Sequence, residues 1–529
     1  MDSYERRDAI AERFASGRGT GAAVLCGLLA AALGAGAVVS QHPAVSGAAV
    51  ALVAVAAGIF ILRHPAALLW TLVLTTPFAD NDRLAVDVGG LKIRPYEVLA
   101  ILGVLGITWH FLTRQHTAMR EIAWRFKGTI LIVLLLIASK IVSLASVGVL
   151  PPYMTKAFAA KFIVFLSMQF AAAFVCACFI DSRERLQQVI RGWIHLSNMI
   201  VVVAVIQIGL ANILGWESLV RHREIFPLGR PDSVFREPDV LGCFCASMIA
   251  MLVPLLVARV SFVNRLYVWF TLLSNGLLCL LIVVRAAWVA VIVCLALYAL
   301  LVVMLKRFRS LMPYLNGALA AILVLILGVA MAAPAMAGKF VSRFASVSNP
   351  KAESGSAYRL LELEAQAQMV LRPGLTTGGP LTTVFGHGDF SWSYWAPEVI
   401  AEEDYDQEAK TRKRGDVLPT AGFNMPLAIQ FDNGLVGLVL HAVFFLALVV
   451  NFVRALQRSR DPGMQALLMA TFLPLVAVLV CYQFSYDPLY LTLWILLGMH
   501  LAAVYHSERA GMAASSGTNA IENTGFFPE

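Results

Sequence analysis

Four arginines and a small group of acid–base side chains carry the chemistry that this sequence offers. The segment PLGRPDSVFREPDVLGCF holds Arg230 and Arg236 around a Pro/Asp turn and then Glu237, Pro238 and Asp239. Arg285 interrupts a long apolar run in VVRAAWVAVIV, where a short connection did not need a cation. Arg359 opens the segment SAYRLLELEAQAQMVL, and the Gly-flanked His387 precedes Asp389 in VFGHGDFSWSYW. Guanidinium groups bind phosphate oxygens bidentately, so arginines on separate elements are suited to a diphosphate, which carries two or three negative charges. Glu237, His387 and Asp389 are the groups able to accept a proton from, or orient, a hydroxyl on the other side of such a reaction. Each has a plainer reading beside it. Arg285 can snorkel to headgroups, Arg230 and Arg236 can sit in structural ion pairs, Arg359 can pair with Glu362, and His387 can cap a turn. Trp392, Tyr394 and Trp395 can stack on sugar rings or anchor the loop at the membrane interface. Lys140, inside an apolar run, and Lys156 and Lys161 near the start of the next add positive potential to the same side.

The elements that must position these groups are membrane helices. The 529 residues are 59% hydrophobic and 14% charged, with a mean hydropathy of +0.75. A soluble chain cannot hide that much apolar surface, and runs of 18 or more apolar residues are long enough to cross a bilayer. The composition excludes a soluble enzyme, a fibrous protein and a disordered chain, and the length of the runs excludes an outer-membrane barrel. The expected fold class is an all-α polytopic membrane protein with about 12–14 transmembrane helices. Fourteen candidate spans lie near 21–40, 45–62, 65–79, 97–113, 128–149, 157–180, 193–214, 240–258, 266–284, 286–305, 313–333, 426–453, 463–483 and 486–505. The ninth and tenth abut at Arg285. As one helix they would reach roughly 60 Å, twice the hydrocarbon thickness, so a break there is expected.

Basic residues alternate between connections. Arg6, Arg7, Arg13 and Arg18, then Arg63, then Arg114, Arg120, Arg125 and Lys127 fall on one side, followed by Arg183, Arg185 and Arg191, then Arg259 and Arg265. Lys306, Arg307 and Arg309, then Arg454, Arg458 and Arg460, then Arg509 complete the set. The positive-inside rule then places both termini in the cytoplasm and the candidate site on the outer face of the cytoplasmic (inner) membrane. The expected organisation is a cytoplasmic tail at 1–20, a bundle at 21–334, an extracytoplasmic loop subdomain at 335–425, last spans at 426–505, and a disordered cytoplasmic tail at 506–529. Within the large loop, 356–371 reads as a helix ended by Pro373 and Gly374, and the charged 401–416 as a solvated stretch.

The eight cysteines all fall in apolar runs, so neither a disulfide framework nor a metal site is expected. No cofactor and no nucleic-acid partner are expected, no signal peptide is read, and no internal repeat of the kind that builds many transporters is seen.

Three patches resemble the O-antigen ligase and Wzy-type polysaccharide polymerase superfamily. GRPDSVFREPDVLG resembles its Arg–x–x–Gly–x–Phe–x–x–Pro–Asn segment, with Arg230, Phe235, Pro238 and Asp239 at matching positions. VVRAAWVAV resembles its Ser–Arg–Gly–Ala–Trp segment through Arg285 and Trp288. FNMPLAIQFDNGLVGLVL resembles its His–Asn–x–x–Leu … Glu–x–Gly–Leu–x–Gly segment, with Asn424, Leu427, Asp432, Gly434 and Gly437 in register, and FGHGDF resembles its Phe–Gly–x–Gly turn. The likeness covers roughly residues 80–500. It implies a GT-C-like fold and an inverting transfer of glycan from a polyprenyl-diphosphate carrier to another lipid-linked glycan. The implied partners are that carrier-linked glycan, membrane lipids and other polysaccharide-assembly proteins. Two departures matter. Phe423 stands where the ligases carry the His thought to assist the acceptor, and Glu237–Pro238 replaces Asn–Pro, which is more like the polymerases. A ligase, a flippase or exporter of lipid-linked oligosaccharide, and an inactive scaffold stay open as alternatives.

Overall fold

The computed structural model describes residues 65–78, 86–88, 91–93, 105, 117–146, 156–221, 228–235, 237–304, 363–368, 370, 379–388, 424–484 and 491–522. The expected spans at 21–40, 45–62 and 313–333, the span at 97–113 apart from Leu105, and the charged stretch at 401–416 lie outside these residues, as do Arg236, Arg359, Asp389 and Phe423.

The described chain is almost wholly helical. In order it runs α1 (Pro65–Thr75), α2 (Thr117–Arg125), α3 (Lys127–Ser146), α4 (Lys156–Phe179), α5 (Arg183–Ile213), α6 (Pro238–Val257), α7 (Arg265–Ile282), α8 (Arg285–Met304), α9 (Gly379–Phe385), α10 (Met425–Arg458), α11 (Pro462–Cys481) and α12 (Leu491–Glu522). Two antiparallel ribbons interrupt it, β1 (Val86–Val88) with β2 (Leu91–Ile93) and β3 (Val220–Arg221) with β4 (Arg230–Pro231). Among the described residues, α5, α6, α7, α8, α10 and α11 are each long and apolar enough to cross a membrane. This is the architecture of a helical multi-pass membrane protein.

The helices with no polar face form the centre. α6 and α11 are apolar all round, and nearly every residue along each is buried. α6 packs on α7, α8 and α11, and α11 packs in turn on α8 and α12. Small residues at Gly242, Cys243, Cys245, Ala246, Ser247 and Ala250 let neighbouring helices approach α6 closely, which is how helices associate where lipid is as apolar as their side chains. Polar ties cross the α5–α7 contact. Ser197 Oγ donates to Asn275 Oδ1 at 3.0 Å and Asn198 Nδ2 to Thr271 Oγ1 at 2.9 Å. Partner numbers rise together from Arg191 with Phe262 through His195 with Tyr267 to Asn198 with Thr271, so the two helices run in the same direction.

One end of the bundle is knitted by charge. Arg125 pairs with Glu508 at 2.5 Å and Arg183 with Asp461 at 2.5 Å, and Arg458 and Arg509 reach Glu508 and Glu121 at 3.8 and 3.7 Å. Four of the Arg-bearing segments, 117–127, 181–191, 454–461 and 506–509, therefore share an end, as the alternation of basic loops requires.

The break expected at Arg285 falls just before it. Val283 ends α7 in the left-handed region at φ 58°, and α8 starts at Arg285. Of the 65–79 span, Pro65–Thr75 is α-helical and Thr76–Phe78 adds a 3₁₀ turn. The last helix, α12, continues past its apolar stretch to Glu522, into the segment expected as the cytoplasmic tail. Of the expected loop helix at 356–371, residues 363–368 and 370 are described and are helical.

Candidate functional site

The sequence-selected residues form two clusters, one of them at the end of α7 opposite Arg265. The first is built on Arg230. The residue is 7% exposed; Nε donates to Ile282 O at 2.7 Å and Nη2 to Asp239 Oδ1 at 2.6 Å. Ile282 O is one of the carbonyls left over at the C-terminus of α7, and Asp239 lies in the first turn of α6. A cation at the first and an anion at the second are each favoured by the helix dipole. Arg230 thus fastens β4 to two helix ends, and two of its nitrogens are committed to protein partners. The turn that presents it is tightly held, because Ser233, at φ 54°, donates from its amide to Gln207 Oε1 and from Oγ to Ile200 O. Phe235 packs against Phe244, and Pro238 takes the first helical position, where its missing amide is no loss. Glu237 is the N-cap of α6. Its side chain is exposed and does not cap that helix.

Arg285 is half-buried at the first position of α8. The valine two residues before it is β-branched and left-handed, a conformation that costs about 1–3 kcal/mol and persists only where surroundings enforce it. Here Arg230 holds Ile282 O, and Trp288 Nε1 donates back to Cys279 O at 3.0 Å. The motif tryptophan therefore ties α8 to the end of α7.

The second cluster joins segments about 45 residues apart. α10 is not continuous. Gly434 sits at φ 66°, ψ −169°, which breaks the helix and strands the carbonyls of Phe431 and Asp432, whose i+4 donors are lost. The Gly386–His387–Gly388 turn after α9 supplies replacements. His387 N donates to Phe431 O at 3.0 Å and Gly388 N to Asp432 O at 2.9 Å. Ser143 Oγ of α3 also donates to Asp432 O, at 3.1 Å. Lys140 Nζ, on a side chain 6% exposed, donates to Asn433 Oδ1 at 3.0 Å. A cation at the C-terminal end of the first half-helix again agrees with the dipole. Glycine is required on both sides of this contact. A Cβ on Gly386, at φ 81°, would overlap the Asp432 carbonyl and the Asn433 amide, and one on Gly434 would overlap the Val384 carbonyl.

His387 lies against the broken helix with its ring stacked on Phe431, 4.4 Å between centroids and 11° between planes. Its Nδ1 is 3.2 Å from Phe431 O. A carbonyl only accepts, so Nδ1 carries the proton and Nε2 is the acceptor nitrogen of the neutral ring. Burial pushes its pKa below the ordinary 6.5, against the smaller opposing effect of the Phe431 carbonyl. The stability tied to this histidine is therefore fully present above pH 6.5 and is lost as pH falls through the lowered folded value. His387→Gln is expected to flatten thermal stability between pH 7 and pH 5 relative to the parent. Parallel pH profiles of the two proteins would contradict this.

Asn424 is a cap. Its Oδ1 accepts from Leu427 N and its Nδ2 donates to Gln483 O, each at 3.3 Å, which anchors the start of α10 to the end of α11. Asp432 is 4% exposed at the break. Sequence reading passed over Ser143, Phe431 and Asn433. The available signal was the Asp432–Asn433–Gly434 triplet, a turn-forming sequence inside an apolar run. It also passed over the β1–β2 ribbon, although VDVGGLKI alternates around a Gly–Gly pair.

A scan against protein-family models finds no match for this chain, and neither does a search of curated proteins.

Proposed function

We propose that this protein is a membrane glycosyltransferase that moves glycan from a polyprenyl-diphosphate carrier onto another lipid-linked glycan, as a polysaccharide polymerase does. The observation that carries the reading is pairwise convergence. Segments that resemble the superfamily's motifs, distant in sequence, pack together in twos. The 228–239 and 282–288 segments meet through Arg230 and Ile282, and 386–388 meets 431–434 through the broken helix. Arg285, Arg230, Arg236 and Arg359 are assigned to the diphosphate, which leaves with developing negative charge that fixed cations stabilise. His387 is assigned to the acceptor hydroxyl, with Nε2 as the accepting nitrogen, and Glu237 and Asp389 stand beside it as further candidates.

A second reading, a carrier of lipid-linked glycan across the membrane, is favoured by one specific observation. A broken helix beside a lysine buried within a span is a feature of transport sites. Deletion of the gene separates the readings. A polymerase leaves single repeats at the surface and no long chains, a ligase leaves lipid-linked polymer unattached, and a carrier leaves lipid-linked repeats trapped inside. The first outcome is expected. In that background His387→Ala is expected to restore at most about a tenth of the polymer, an upper bound that a general acid–base contribution of about 100-fold or more would meet, and His387→Gln no more. Full polymer with His387→Gln would reduce the histidine to its hydrogen bond with Phe431.

A further inference from the structure

A groove at the opposite end of α5 and α7 has chemistry that the proposed transfer reaction does not use. It encloses about 660 Å³, within the usual range of small-molecule sites, and lies where the start of α7 meets the third and fourth turns of α5. Its polar wall is Arg191, His195, Asn264 and Tyr267, and its apolar wall includes Leu266 and Phe270. None of its lining residues is acidic. Arg191 donates to Phe262 O, which ties α5 to the turn before α7. His195 Nδ1 meets the Tyr267 hydroxyl at 2.6 Å, and Asn264 Oδ1 caps Leu266 N at 2.9 Å. Arg259 and Arg265 flank the same turn, so the local balance is strongly positive.

The groove continues into an apolar track. On α5, Met199, Val202 and Ile206 follow His195 at helical spacing, and on α7, Phe270, Leu273 and Leu277 follow Leu266 in the same way. All are exposed; Leu266 is 78%, Met199 64% and Phe270 62% exposed. Because α5 and α7 run parallel, both stripes lead from the groove toward the middle of the bundle. A cationic pocket at the edge of the apolar zone, with an apolar track leading inward, matches a molecule with an anionic head and an acyl tail. A free anion would not use the track, and a soluble peptide would not lie along a membrane-facing stripe.

We propose that this groove binds an anionic phospholipid, its phosphodiester against Arg191 with His195, Asn264 and Tyr267 around it, and an acyl chain along the two stripes. Basic pockets between membrane helices recognise headgroups in this way. The proposal does not depend on the transfer reaction, and its test reads binding only. The purified full chain in a nonionic detergent is titrated with phosphatidylglycerol, phosphatidylcholine and inorganic phosphate, and bound species are counted by native mass spectrometry. Phosphatidylglycerol is expected to bind at least about fivefold tighter than phosphatidylcholine, and inorganic phosphate not to compete. Arg191→Gln, which keeps a donor for Phe262 O and removes the charge, is expected to weaken phosphatidylglycerol about fivefold. Arg120→Ala, which removes an exposed charge from α2, is expected to leave it unchanged. Equal binding of the two lipids overturns the proposal, as does competition by phosphate or an equal loss in Arg120→Ala.

Discussion

Gly386→Ala is expected to destabilise the protein by at least about 3 kcal/mol and to remove its activity, although it adds one methyl group. The methyl would be placed on a residue at φ 81° and driven into the Asp432 carbonyl and the Asn433 amide. Neither side can retreat cheaply, because the adjoining amides of His387 and Gly388 are bonded to the carbonyls of Phe431 and Asp432. Moving the turn away would take these amide donors from both carbonyls, of which Asp432 O keeps Ser143 Oγ, and a buried carbonyl left without a donor costs about 1–3 kcal/mol. Gly434→Ala should have a similar effect from the other side of the contact, since its Cβ would meet the backbone at Val384. The two losses should not add, because both break the same interface. Gly209→Ala on α5 is the contrast. A Cβ there meets nothing within 4 Å, so neutral or slightly higher stability is expected. Thermal unfolding in detergent, followed by tryptophan fluorescence, measures all three. A Gly386→Ala protein melting with its parent would mean that the turn does not hold the broken helix.

Arg285→Ala is expected to abolish polymer formation while protein abundance stays near normal. Arg285 begins a helix, where a cation opposes the dipole, so its removal should not cost stability through that interaction. Positive-inside placement does not account for it either. Arg265 starts α7 at the end that carries basic connections, and Arg285 follows the far end of the same helix, about 27 Å away along 18 residues. The left-handed valine before it and the Arg230 and Trp288 bonds around the break hold its backbone in one place. Arg285→Lys should rescue poorly, because a point charge does not reproduce the planar fork that grips two phosphate oxygens. Surface glycan length in a complemented deletion strain is the measurement. Normal chains from Arg285→Ala would return this arginine to a headgroup-snorkelling role and weaken the assignment of the diphosphate site.

Much of the architecture was legible because a bilayer leaves few choices. Apolar length predicted the helices, and the excess length of the run around Arg285 predicted a break. Composition also marked α6 and α11, whose apolar circumference admits no solvated face. The site was legible as residue types more than as contacts. Arg230 and Asp239 were selected together because they stand in one short segment, nine residues apart. Lys140 was noticed as a charge inside a span, and only the fold pairs it with Asn433, which is 293 positions away.

What the sequence determined by itself was therefore the class of protein, the helices that apolar length demands, and the end of the bundle at which basic connections gather. These follow from transfer of side chains and backbone into lipid, which depends on local composition alone. Only the tertiary structure decided that α10 breaks at Gly434 and that the Gly386–His387–Gly388 turn completes it. A stranded carbonyl must be paired by some donor, but local sequence does not say which one. That choice belongs to the packing of α3, α9 and α10, which brings Ser143, His387 and Gly388 within reach of Phe431 and Asp432.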